Sequence, residues 1–234
     1  MRIISIIAAL ILFISCNTEE IYIDVFDPVQ DEIDSLNQRD ADISLIYSYL
    51  DSKGINYVDT TASGVYYSVI DSGENVLFPE TGDLVSINIA GYYTNDSIFF
   101  TNDSIDLVIF DTNIKSLAED IGYFDESKYY SPIVYTYNGV GSFFPVVSDH
   151  GYLAQLSDFK ISLGNSLSKI SQGGSTKILM PSGNAYGKSG NSNTPVIPES
   201  SILIYQILRL NFQVLLGYLN YLTYHMHYLK ALIS

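Results

Sequence analysis

The chain has no tryptophan, one cysteine and three histidines among 234 residues. A single Cys, at position 16, excludes an intrachain disulfide and any Cys-based metal site. His225 and His227 stand together near the C-terminus and His150 stands alone, which supplies neither a zinc ligand set nor a Cys/His or Ser/His nucleophile pair. Chemistry without metal, cofactor or nucleophile is therefore expected. Basic residues are scarce as well: 11 Lys and Arg against 26 Asp and Glu leave a formal charge of -15. Phosphate binding needs clustered cations, so nucleic acid is excluded as a partner and the acids read as a solvated surface.

Aromatic and aliphatic residues are what the chain has in quantity. Hydrophobic residues make up 47% and charged residues 16%, with 20 Tyr and 11 Phe, a globular composition leaning towards strands. The length suits one domain of ordinary size with appendages.

The N-terminus reads as a signal peptide. Arg2 precedes an apolar run from Ile3 to Ile14, shorter than the roughly 20 residues that span a bilayer. Phe13-Ile14-Ser15-Cys16 resembles a bacterial lipobox, in which the thiol of the Cys after the cut takes the lipid. Residues 1–15 are then the lipoprotein signal peptide, and lipid on Cys16 holds the mature protein to a membrane surface. Residues 16–39, rich in acids and poor in apolar side chains, read as a solvated tether. Residues 40–59 read as a short helix and linker, with Ile43, Ile46, Tyr47 and Leu50 at helical spacing and a stop near Gly54.

From Gly64 the period changes to that of strands. Gly64 to Ile70 is closed by Asp71-Ser72-Gly73, and in Asp83 to Tyr92 the residues Val85, Ile87 and Ile89 alternate with Ser86, Asn88 and Ala90. Asn95-Asp96 supplies a turn and Ile98-Phe99-Phe100 returns. Residues 101–158 read as enlarged loops with short aromatic stretches, among them Ile133 to Tyr137. A short helix over Leu163 to Ile170, a break at Gly173-Gly174, a strand over Thr176 to Met180 and a last strand over Ser201 to Leu210 follow.

The run from Leu167 to Gly187, with Gly173-Gly174, the strand, Pro181-Ser182 and Ala185-Tyr186-Gly187, is similar to the glycine turn, "P-S" and "A-Y-G" of FKBP-type peptidyl-prolyl cis/trans isomerases. Val196-Ile197-Pro198 and Ile202 to Ile207 resemble that family's "I-I-P" loop and closing strand. Gly82-Asp83, Val85 to Gly91 and then Phe99 resemble its "G-D-x-V-x-V-x-Y-x-G … F-D" hairpin. The three motifs are collinear over roughly residues 60–210. The lipobox, tether and helix ahead of them resemble lipoprotein members of the Bacteroidetes type.

The resemblance implies an α+β fold, a bent antiparallel sheet wrapped around a short helix, with an N-terminal helical and tether extension. It implies a prolyl isomerase of the bacterial cell envelope whose partners are Pro-containing polypeptides and, as inhibitors, macrolide-type compounds. Carried over residue by residue, Phe99, Tyr186, Ile197 and Tyr205 take the catalytic places. Ile89, Phe100, Leu163, Val196, Ile133 and Tyr135 take substrate-binding ones. Three of these depart from the pattern: Ile89 stands for a Tyr, Phe100 for the Asp after the wall Phe, and Leu163 for a Trp at the pocket floor. Losing that Asp points to slow turnover, so a peptide-binding module without useful turnover is the competing reading. A structural surface lipoprotein is a third.

Residues 211–234 differ from everything before them. They hold no acid, four Tyr and two His. Leu215, Leu216, Leu219 and Leu222 recur at near-helical spacing, so the tail reads either as an amphipathic helix or as the product of a shifted reading frame.

Overall fold

A computed structural model describes residues 27–94, 107–128, 130–139, 143–145, 156–193 and 196–209. Cys16 and the signal segment, Phe99, Phe100 and the tail 211–234 lie outside the described residues. The chain divides into two units, residues 1–34 and 35–234.

Helix α1 runs over Pro28–Ser52. Asp27 begins it: its carboxylate accepts from the backbone of Val29 at 3.0 Å and of Gln30 at 3.4 Å, and Pro28 takes the first helical position, where no N–H is needed. Gly54 ends it with φ 64°, so that Ile55 N reaches back to Leu50 O at 2.8 Å. The expected helix began at residue 40, behind a tether over 16–39; the helix instead extends back to Pro28. Residues 28–37 are exposed as a tether would be, yet no glycine or further proline interrupts them, so acidity alone does not stop the helix. The buried stripe is Asp42, Ile46, Tyr49 and Leu50. Tyr47, expected in that stripe, is 52% exposed and meets the ring of Tyr66 edge-on.

The sheet is antiparallel. Its strands are β1 (Asp59–Thr60), β2 (Tyr66–Asp71), β3 (Leu84–Thr94), β4 (Leu107–Thr112), β5 (Ile133–Tyr137), β6 (Phe143–Pro145), β7 (Ser175–Met180) and β8 (Leu203–Arg209). They lie in the order β1-β2-β7-β8-β3-β5-β6, with β4 also paired to β3. The short helix α2 (Lys115–Asp120) follows β4, and α3 (Ser157–Leu167) precedes β7. Residues 101–158, read as enlarged loops, thus contain three strands and a helix among the described residues. Non-local pairing with β3 makes β4 and β5, and no local period announces such pairing.

Strand alternation sends successive side chains to opposite faces and so builds two cores. Ile178, Met180, Leu203, Tyr205 and Ile207 point to one face, where they meet Phe159, Leu163 and Leu167 of α3. Leu179, Ile202 and Ile204 point to the other, where they meet Ile46, Tyr49 and Leu50 of α1. Residues 40–59 therefore belong to the folded domain, which was expected to begin at residue 60. α3 is buried on most of its surface, and its serines are satisfied within the helix: Ser162 Oγ donates to Asp158 O and Ser166 Oγ to Leu163 O. This is the expected α+β fold, a bent antiparallel sheet around a short helix.

One strand changes partner midway. Along one edge β3 pairs β8 over Ile87–Tyr93; along the other it pairs β5 over Leu84–Ile87 and β4 over Ala90–Thr94. Asn113 fills the gap where those two partners diverge. Its amide donates to Ile87 O at 3.0 Å and Ser131 O at 2.9 Å and accepts from Ile89 N at 2.8 Å. Buried to 4% exposure, it replaces the ladder bonds that neither strand can supply there.

Candidate functional site

Tyr205, at the centre of β8, is the hub of an aromatic cluster. Phe159 of α3 lies against it with ring centroids 4.3 Å apart, and Phe110 of β4 meets it edge-on at 5.8 Å and 85°. Phe110 can come so close because residue 91 is glycine: a Cβ there would stand 2.5 Å from Phe110 Cζ. Gly91 faces Tyr205 across the β3–β8 pairing, so one missing side chain makes room for the ring above it. Leu163 and Ile197 complete the cluster, with Tyr93, Leu156, Ala185 and Tyr186 half-buried around it.

Tyr186 stands between two 3₁₀ turns, Ser182–Asn184 and Gly187–Ser189. The first turn is pinned by Asn184, whose amide donates to Ser63 O at 3.1 Å and Asp158 Oδ2 at 3.0 Å. The second is pinned through Gly187 O, which accepts from Ser200 N at 2.8 Å. Ile197 is held by reciprocal backbone bonds with Asn191 at 2.8 and 2.9 Å. Two backbone loops, each tied at its base, thus bring Ile197 into the core that holds Tyr205 and Tyr186 to its edge.

The electrostatics of the cluster follow from dryness. The Tyr205 hydroxyl is buried and finds no hydrogen-bond partner among the described residues. Burial pushes its ionisation far above the usual phenol range, and the neighbouring Tyr186 adds to the effect. The carboxylate nearest in sequence, Asp111, follows Phe110 on β4; it is paired with Lys128 and accepts from Thr112 N at 2.8 Å. Its side chain is 7% exposed, so the pair sits largely out of water. Among the described residues no group of three or more His, Cys, Asp or Glu is placed to hold a metal.

Of the residues singled out in the sequence, the structure brings together Tyr186, Ile197, Leu163 and Tyr205. Val196 is 63% exposed, at the outer lip of the Ile197 loop. Ile89 and Ile133 are both 0% exposed and belong to the same core as Leu163 and Tyr205. Tyr135 pairs through its backbone with Val85 and Pro145. Phe99 and Phe100 lie outside the described residues, and the ring that packs on Tyr205 is Phe110. Sequence reasoning missed Phe110, Asp111 and Phe159. Phe110-Asp111 on β4 has the same Phe-Asp order as the motif assigned to Phe99-Phe100, which themselves lie outside the described residues.

No protein-family model matches the sequence, and no characterised protein matches it at the level of sequence. Among solved structures, the chain is similar to FkpA from Escherichia coli at 21% identity and TM-score 0.40, over 79% of this chain and 63% of that one. It thus spans less than two thirds of that protein's length. It is also similar to a peptidyl-prolyl cis-trans isomerase from Pseudomonas syringae at 15% identity and TM-score 0.39, over 76% of this chain and 94% of that one. A third likeness is to the N-terminal domain of FKBP42 from Arabidopsis thaliana, at 15% identity and TM-score 0.39, over 67% of this chain and 91% of that one. These are distant likenesses of fold.

Proposed function

We propose that the chain is a peptidyl-prolyl cis/trans isomerase that acts on X-Pro bonds of exported polypeptides. The observation that carries this reading is the aromatic cradle of Tyr205, Phe159 and Phe110 under the loops of Tyr186 and Ile197. Amide resonance holds the X-Pro bond behind a barrier of about 18–20 kcal/mol, and exchange breaks no bond. What lowers such a barrier is a dry cavity that fits the twisted amide better than either planar isomer. In this reading the prolyl ring sits against the aromatic walls and the Tyr186 hydroxyl donates to the carbonyl as resonance is lost. Each 1.36 kcal/mol of preference for the twisted form is about a tenfold rate gain.

The test is exchange of an X-Pro peptide with and without the purified protein. Acceleration that falls in Tyr186→Ala supports the reading; equal rates with folded protein present would count decisively against it. A second reading is a peptide-binding module that grips with its surrounding loops and without turnover, favoured by one observation: Tyr205, Phe159 and Leu163 are all 0% exposed, while Val196 on the neighbouring loop is 63% exposed. Binding of a Pro-containing peptide or a macrolide without acceleration would select it. For location we propose lipid attachment at Cys16 in the cell envelope; loss of membrane partitioning in Cys16→Ala tests that.

A further inference from the structure

Helix α1 lies outside the motifs that suggested the function, yet one of its side chains reaches the loop that carries Tyr186. Asp42 is only 3% exposed. Its Oδ2 accepts from the backbone N–H and from the hydroxyl of Ser182, both at 2.7 Å, while Oδ1 accepts from Gln38 Nε2 at 2.8 Å. Ser182 is itself 1% exposed and opens the 3₁₀ turn Ser182–Asn184; its carbonyl accepts from Ala185 N at 2.9 Å, one residue before Tyr186. Asp42 thus accepts both polar hydrogens of Ser182, across 140 residues of sequence.

The chemistry of the arrangement is that of an anchor. A carboxylate accepting from an N–H and an O–H of one residue fixes that residue in position and orientation, and charge-assisted bonds are the stronger kind. The anchor is also set in a firm base, because Ile46, Tyr49 and Leu50 of the same helix are packed on the outer face of the sheet. Above Asp42 lies an open groove of about 720 Å³, bordered by Arg39, Ser63, Ser182, Asn184 and Lys188. Loss of the anchor would leave the turn held at Asn184, with open space into which Ser182 can shift.

We propose that Asp42 is a positioning residue for the isomerase site: through Ser182 it helps hold the 3₁₀ turn that sets Tyr186 against the core around Tyr205. The proposal rests on the isomerase reading of that site. It makes the N-terminal helix part of the working apparatus.

The experiment is a double-mutant cycle in the full chain, with kcat/KM on one X-Pro peptide as readout and thermal melts to confirm folding. Asp42→Ala lowers kcat/KM about tenfold, and Asp42→Asn, which keeps an oxygen acceptor for Ser182, restores most of it. In a Tyr186→Phe background Asp42→Ala has little further effect, because the hydroxyl it positions is gone. Equal losses in both backgrounds, or no loss in folded Asp42→Ala, overturn the proposal. If the unmodified chain itself accelerates nothing, the isomerase reading fails. Amide exchange then decides the anchor separately: Asp42→Ala speeds exchange at Ser182 to Tyr186 and not in β7 or β8, and unchanged exchange in the turn overturns it.

Discussion

Replacing Tyr205 with Phe removes one oxygen from the centre of the cluster and nothing else. In most buried sites that change destabilises, because a hydroxyl is usually bonded. Here it is expected to stabilise. The Tyr205 hydroxyl is shielded from solvent and has no partner among the described residues, and a buried polar group left unsatisfied costs about 1–3 kcal/mol. Removing the oxygen relieves that term and leaves the ring contacts with Phe159 and Phe110 in place. The loss of a few dispersion contacts offsets part of it, so a net gain of about 1 kcal/mol is expected. Urea unfolding measures this as a raised midpoint with unchanged slope. The melting temperature should rise by about 2–4 °C for a domain of this size. A second signature comes from pH. Burial raises the phenol's ionisation in the folded state above its unfolded value near 10. The folded state therefore keeps a proton that the unfolded state gives up, and this contribution to stability is present below about pH 10 and fades above it. Tyr205→Phe lacks that proton, so the gap between variant and wild type should widen by roughly 1.4 kcal/mol per pH unit above about pH 10. A variant less stable than wild type by 1 kcal/mol or more, or parallel stability curves across that range, would refute the reasoning.

Phe110→Leu keeps an apolar side chain on β4 but removes the edge-on ring, so peptide isomerisation should fall at least about tenfold while the melt moves little; unchanged turnover would remove Phe110 from the site. Gly91→Ala places a Cβ against Phe110 and should destabilise by about 1–3 kcal/mol through overpacking, with a partial recovery in Gly91→Ala/Phe110→Leu that denaturant curves can resolve. Asn113→Ala leaves Ile87 O, Ile89 N and Ser131 O without their side-chain partner and should cost about 3 kcal/mol or more; amide exchange accelerating first at Ile89 would locate the opening.

Much of the fold was legible where the signal is local. β3, β7 and β8 were readable from alternation and bounding glycines. The loop from Pro181 to Gly187 was readable from its motif, and Tyr186, Ile197 and Tyr205 were named from motifs alone. What escaped depends on partners distant in sequence. β4 has only a short apolar stretch and exists because β3 has a free edge beyond Ile89. Its Phe110-Asp111 was not singled out because loop length is not encoded in any period. Asn113 and Asp42 carry no pattern at all: a lone Asn after a strand and one acid among many on a helix look like surface residues until their partners are known.

The amino-acid sequence by itself determined the chemistry available to this protein. Its single Cys excludes an intrachain disulfide and a Cys-based metal site, its excess of acids weighs against phosphate recognition, and its alternating apolar strands dictate a half-buried antiparallel sheet. The tertiary structure alone decided which aromatic rings meet. Alternation says only that a side chain faces one side of a sheet. Which ring it touches depends on register, on where β3 exchanges one partner for another, and on the space above Gly91. Tyr205, legible as one aromatic on a closing strand, became the hub of a site only when β4 and α3 delivered Phe110 and Phe159 to its two sides.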